Sequence, residues 1–136
     1  MGSPEVTGFL LDTHIWWWYL TGSGRLGRGL HRQINQSRTD CWLSPVSVWE
    51  LGLLSARDRI RIPGEYRGWV EEAIAKFPVG EASLTREVAL VSGEIQLSHQ
   101  DPADHFLAAT ALVYGLVLMT VDERLTKTKW LPTRSR

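Results

Sequence analysis

Cysteine is almost absent from this chain: Cys41 stands alone. A single thiol allows neither an internal disulfide nor a cysteine metal cluster, and Cys41 reads as a small buried residue. Excess charge is absent too. The 15 Lys and Arg balance 15 Asp and Glu, which argues against a protein that grips long nucleic acid through bulk electrostatics. A local basic rim remains open, because Arg25, Arg28, Arg32 and Arg38 cluster in the first third. Long apolar runs are missing. Ala108 to Met119 is 12 residues and is interrupted by Thr110, Tyr114 and Gly115, whereas a bilayer span needs about 20. The N-terminus has no basic segment followed by an apolar core, so nothing signals export and a cytoplasmic location is the default expectation. Gly22, Gly24, Gly27 and Gly29 precede no GKS or GKT, so there is no nucleotide-type phosphate loop. His14, His31, His99 and His105 form no metal-ligand spacing. Ser44 and Ser47 lack the histidine–acid pattern of a nucleophile.

What is present is an alternation of apolar runs and helical spacings. The 136 residues are read as one domain, residues 1–136. Met1-Gly2-Ser3 is a native start or a cloning remnant, and residues 1–4 stay outside the fold reasoning. A strand is expected over Val6 to Leu11, then a helix from Thr13 to Leu20, broken by Thr21-Gly22-Ser23-Gly24. Leu26, Leu30 and Ile34 recur every four residues, which predicts a helix over Gly27 to Gln36. Cys41 to Leu43 reads as a strand. Ser44-Pro45 starts a helix, serine at the cap and proline at the first position, with an apolar stripe of Val46, Trp49, Leu53 and Leu54. Arg57 to Pro63 reads as a turn with a short extended piece at Ile60 and Ile62. Tyr66 to Lys76 returns to helical spacing, Val79 to Leu84 is a weak strand, and Thr85 caps a helix with Val88, Leu90, Val91 and Ile95. Asp101-Pro102 starts a helix to Tyr114, with Phe106-Leu107, Thr110-Ala111 and Val113-Tyr114 in apolar positions, and Gly115 stops it. A strand follows at Leu116 to Met119, and residues 127–136 form a closing strand or tail. This order predicts an α/β fold with three layers, helices covering both faces of a mostly parallel sheet of four to five strands.

Ligands of such sheets collect at the carboxyl ends of the strands, and Asp12 and Asp122 fall there. Glu50 and Asp104 lie early on two of the predicted helices. Each acid has a modest explanation of its own. Asp12 can cap the next helix, Glu50 can be surface beside a core Trp49, Asp104 can answer the helix dipole, and Asp122 can serve a turn. Together they suggest more. Two carboxylates about 5 Å apart repel by roughly 3 kcal/mol at an effective dielectric near 20, so acids drawn from positions 12 to 122 meet at a cost unless a divalent cation holds them. Oxygen-rich sites suit Mg²⁺ or Mn²⁺.

Four segments carry a resemblance: Leu10-Leu11-Asp12-Thr13-His14, Ser44-Pro45-Val46-Ser47-Val48-Trp49-Glu50, His99-Gln100-Asp101-Pro102-Ala103-Asp104, and Met119-Thr120-Val121-Asp122-Glu123-Arg124-Leu125. In this order they resemble the PIN-domain nucleases, specifically the VapC-like toxins of bacterial toxin–antitoxin pairs. The resemblance implies a compact α/β/α ribonuclease that hydrolyses RNA with a metal-activated water. It makes Asp12, Glu50, Asp104 and Asp122 the catalytic, Mg²⁺- or Mn²⁺-binding acids, with Thr13 and Thr120 as supporting hydroxyls. It implies a cognate antitoxin protein as partner. One departure stands out: after the third acid the family usually has arginine, and here the residue is His105.

The tryptophans are abundant, 7 in all, and Trp16-Trp17-Trp18 is the densest group. Successive helical residues point about 100° apart, so not all three enter one core. That suggests a homodimer contact or an antitoxin groove. His14 reads as a surface residue near the mouth of the site. Two other functions fit parts of the pattern. Asp12-Thr13 superficially matches an aspartyl-phosphate phosphatase, although His14 stands where that chemistry wants a second acid. A non-catalytic RNA- or protein-binding domain would keep the acids only as caps.

Overall fold

The computed structural model describes residues 8–136. Its centre is a five-stranded sheet, ordered β3-β2-β1-β4-β5, in which every neighbouring pair is parallel. The strands are β1 (Phe9–Leu11), β2 (Cys41–Leu43), β3 (Gly80–Glu81), β4 (Val117–Met119) and β5 (Thr133–Arg134). Between them run α1 (Thr13–Thr21), α2 (Arg28–Gln36), α3 (Pro45–Ala56), α4 (Tyr66–Lys76), α5 (Arg86–Glu94), α6 (Pro102–Tyr114) and α7 (Glu123–Thr126). The expected strand start at Val6 lies outside the described residues. The Ile60 and Ile62 segment forms no strand, and the weak strand over Val79 to Leu84 shortens to β3.

Helix boundaries follow local chemistry. Ser44 Oγ accepts from the Val46 N–H at 3.0 Å and Asp101 Oδ1 from the Ala103 N–H at 3.0 Å; each is followed by proline. These bonds satisfy amides that have no partner inside the helix. At the far end of α6, Gly115 has φ 67°, and the next amide, Leu116 N–H, reaches back to Ala111 O at 2.8 Å. A side chain is strained in that left-handed conformation, and glycine is not.

The strands alternate their side chains between two cores, as a period of two requires. Leu11, Cys41, Leu43 and Met119 face one side, where Ile15, Trp16, Leu30, Ile34 and Leu51 cover them. Leu10, Leu118 and Ala82 face the other, under Leu107, Ala108 and Ala111 of α6 and Leu125 of α7. Alanines on α6 let that helix sit close to the sheet. Gly80 serves the same end at the edge, since a Cβ there would fall 2.6 Å from the Trp42 ring. Cys41 is buried, its Sγ 3.3 Å from Ser37 O, and burial pushes its thiol pKa up to about 11.

Three expected apolar stripes change. On α5, Leu90 is exposed and the buried position is Val88. Trp49 is 60% exposed, while Leu51 fills the core. Helix α3 is clamped between α1 and α6, so its buried line runs through Val46, Ser47 and Leu51 and turns Trp49 outward. The tryptophan borders an apolar groove with Val46, Leu84, Pro102 and Phe106. On α6, Val113 and Tyr114 are exposed rather than buried; the Tyr114 hydroxyl donates to Ser83 O at 3.0 Å. Among the described residues no helix is long and apolar enough to cross a membrane.

Candidate active site

The register of the two central strands creates the first contact of the site. Leu11 of β1 pairs with Met119 of β4, so the residues that follow them, Asp12 and Thr120, emerge side by side at the carboxyl edge. The Thr120 hydroxyl donates to Asp12 Oδ2 at 2.6 Å, and Asp12 Oδ1 accepts from the Thr13 N–H at 2.8 Å. Asp12 therefore caps α1 and faces the site at once. Thr120 and Thr13 are both fully buried.

Glu50 lies on α3, which packs against α1, and the Thr13 hydroxyl donates to its Oε1. Asp104 is buried in the first turn of α6. Its Oδ2 is 2.6 Å from His99 Nε2 and 3.6 Å from Arg124 Nη2. Asp122 caps α7 and is gripped by the same arginine, with Nη2 to Oδ2 at 2.8 Å and Nε to Oδ1 at 3.2 Å. All four acids line one cavity of about 350 Å³. Asp101, His14, Trp18, Arg25, Val121 and Arg124 complete its wall.

The electrostatics of that cavity are strained. Burial raises the Asp12 carboxyl pKa above its ordinary value; Asp104 adds to the rise, against the Thr120 and Thr13 hydrogen bonds. Burial likewise raises Glu50, with Asp12 and Asp101 repelling it and Thr13 opposing. Asp104 is raised by burial and by Asp101 and Asp122, although its bond to His99 opposes the rise. Only Asp122 is held below the ordinary range, chiefly by the Arg124 hydrogen bonds. Mutual effects among Asp12, Glu50, Asp101, Asp104 and Asp122 mean that these carboxylates share one electrostatic neighbourhood.

Among the described residues no three acid, histidine or cysteine side chains stand as a ready ligand set for a metal ion. Each acid is held by a neighbour instead: Thr120 holds Asp12, Thr13 holds Glu50, His99 holds Asp104 and Arg124 holds Asp122. The donor chemistry nevertheless fits a hard divalent cation, since crowded, partly desolvated carboxylates are the groups such an ion stabilises.

A PIN-domain family model matches residues 9–131. The chain belongs to the PIN-domain family. Ribonuclease VapC22 of Mycobacterium tuberculosis (strain ATCC 25618 / H37Rv) is 29% identical over 121 residues, 88% of this chain and 91% of that protein. The fold is also similar to DNA-bound VapBC from Salmonella typhimurium, with TM-score 0.70, 18% identity and coverage of 93% of this chain and 96% of that one. It is similar again to VapBC2 from Rickettsia felis bound to a promoter DNA fragment, with TM-score 0.68, 12% identity and coverage of 93% and 96%.

Within this PIN domain, sequence reasoning missed three members of the site. Asp101 was expected only as a cap, yet it also lines the cavity. His99 has no metal-ligand spacing in the sequence, but it sits in the loop just before α6 and turns its ring back onto Asp104. Arg124 stood inside a quoted segment without a role; its signal was its place two residues past Asp122, in the first turn of α7. His105, in the position expected to hold arginine, has Nδ1 3.0 Å from Asp101 backbone O, so Arg124 is the guanidinium nearest the third acid. His14 is exposed at the cavity and packs against Trp18 with ring centres 5.7 Å apart. The tryptophan run divides. Trp16 is core, 1% exposed, Trp17 is half-buried against Trp69, and Trp18 borders the acids.

Proposed function

We propose that this PIN domain is a metal-dependent endoribonuclease acting as the toxin of a toxin–antitoxin pair, with Asp12, Glu50, Asp104 and Asp122 as its catalytic acids. The observation that carries the reading is the gathering of these acids, from four separate elements, around one cavity where burial and mutual repulsion raise three of their pKa values. A structural role alone gives no reason to collect such charges. The ribonuclease relative and the likeness to VapBC structures support the same conclusion. The VapBC likeness also supports a cognate antitoxin as partner, and Trp17 and Trp18 retain partly open faces for that contact or for a homodimer. Trp16 is removed from that set by its burial.

The four acids would hold Mg²⁺ or Mn²⁺. When bound, the cation supplies Lewis acidity, offsetting charge on the phosphoryl oxygens and activating water. The chain's own groups provide placement. Thr120 and the Thr13 amide fix both oxygens of Asp12, the Thr13 hydroxyl fixes Glu50, and His99 fixes Asp104. Arg124 grips Asp122 and stands beside Asp104, fixing the side of the site that those two acids share. Family membership weakens the aspartyl-phosphate alternative, in which Asp12 would be a free nucleophile.

The test is cleavage of single-stranded RNA with Mn²⁺ or Mg²⁺, repeated in EDTA and with Asp104→Asn. Cleavage should need the ion and vanish in the variant while the fold persists. Undiminished cleavage by metal-stripped Asp104→Asn protein rules the mechanism out. Calorimetry that detects no Mn²⁺ binding, by the parent or by Asp12→Asn, favours a non-catalytic domain.

A further inference from the structure

The acid cavity accounts for the chemistry but not for how a polyanion approaches four carboxylates. We propose that a basic groove along α2 carries the RNA strand into the site, with Arg28 and Arg32 holding its phosphates and Arg25 at the junction. This inference rests on the ribonuclease reading above.

Charge is the first support. From Thr13 to Thr39 there is no Asp or Glu, while Arg25, Arg28, Arg32 and Arg38 fall in the same span of a chain whose net charge is zero. Arg25, Arg28 and Arg32 are exposed, and among the described residues none of the three has a carboxylate within salt-bridge distance. The other exposed arginine near the acids, Arg124, is committed to Asp122.

Shape is the second. A cavity of about 600 Å³ is lined by Gly24, Gly27, Arg28, His31, Arg32 and Asn35, among others. Arg28 and Arg32 stand one helical turn apart, about 6 Å along the axis, suited to successive phosphates of one strand. The far wall is pre-set by Tyr19, whose hydroxyl donates to Asn35 Oδ1 at 2.8 Å and whose ring packs on His31.

Continuity is the third and decides the occupant. Arg25 lines the acid cavity, while its neighbours Gly24 and Leu26 line the groove. A single turn, Gly24–Leu26, thus joins the two, anchored by the buried Leu26. An RNA strand seated on Arg28 and Arg32 therefore passes Arg25 toward the acids. An acidic protein segment would satisfy the charge but has no need of the continuity.

The experiment measures binding of a labelled single-stranded RNA by the full chain in EDTA across a range of KCl concentrations, then cleavage kinetics with Mn²⁺. Arg28→Ala/Arg32→Ala should weaken binding roughly tenfold at moderate salt and shallow the slope of log K against log salt by about 1.4, two phosphates at about 0.7 each. KM should rise while kcat stays within about twofold. Arg59→Ala/Arg61→Ala, from a basic segment that does not line the acid cavity, should match the parent. An unchanged slope in the first variant overturns the inference and leaves the ribonuclease reading standing, as does an equal loss in the second. Loss of binding to an acidic protein partner with RNA binding intact overturns it in favour of that partner. A parent protein that neither binds nor cleaves RNA ends both readings together.

Discussion

Replacing Asp12 by asparagine should abolish RNA cleavage and yet, in metal-free buffer, leave the fold as stable as the parent or more so. Asp12 is a charge held against burial and against Asp104. A like charge about 5–8 Å away at an effective dielectric near 20 costs roughly 2–3 kcal/mol, and asparagine removes that cost. Its Oδ1 still accepts from the Thr13 N–H, and asparagine caps helices as well as aspartate does. The loss falls on Thr120. Its hydroxyl now donates to Asp12 Oδ2 and accepts from the Asp122 N–H at 3.1 Å, and the amide NH₂ cannot take the proton that Oδ2 took. One neutral bond lost amounts to about 0.5–1.5 kcal/mol. The balance is a gain of about 1 kcal/mol, a rise in Tm of roughly 2–6 °C for a domain of this size. Thermal unfolding in EDTA, run beside the cleavage assay, reads both halves. Saturating Mn²⁺ should invert the order, because an ion at a hundredfold excess over its Kd stabilises the parent by about 2.7 kcal/mol and the variant far less. A Tm that drops by several degrees in EDTA would refute the reasoning, since Asp12 would then be a stabilising cap and not a strained charge.

The pH dependence of the metal-free protein follows from the same groups. Asp12, Glu50 and Asp104 have raised folded-state pKa values, so between the ordinary carboxylate range and those raised values the folded chain binds more protons than the unfolded one. Stability therefore falls as pH rises through that interval. Asp122, held low, acts in the other direction, its contribution present above the ordinary value and lost as pH falls through its folded pKa. With three acids against one, Tm in EDTA should climb as pH drops from neutral toward the ordinary carboxylate range; a steady fall over that interval contradicts the assignment. At the sheet edge, Gly80→Ala should destabilise by about 1–3 kcal/mol through overpacking, since the new methyl meets Trp42; denaturant unfolding with an unchanged midpoint would show that the ring moves aside freely.

Much of the architecture was legible because its signals are local. Serine or aspartate before proline, glycine after the last turn and the period of two in the strands are written within a few residues of where they act. The order of apolar runs then gives a parallel sheet, and with it the carboxyl edge where Asp12 and Thr120 meet. The errors come from contacts between distant segments. Nothing near Trp49 says that α3 is pinned between two helices, so its outward turn was invisible and Glu50 was weighed against the wrong neighbour. The His99 and Arg124 pairings depend on how a loop and a short helix close over α6. Trp16 and Trp18 are two residues apart in one apolar run, and only the packed structure separates a core ring from one bordering the acids.

The bond between Thr120 and Asp12 joins positions 108 apart in sequence, and this has a temporal consequence. During synthesis the first acid leaves the ribosome early but lacks its neighbouring strand until the chain has been made through β4. Glu50 and Asp104 emerge in the meantime with no completed pocket to enter. The acid cavity therefore cannot form until the segment carrying Thr120 and Asp122 has been made, so its four carboxylates stay apart through most of synthesis.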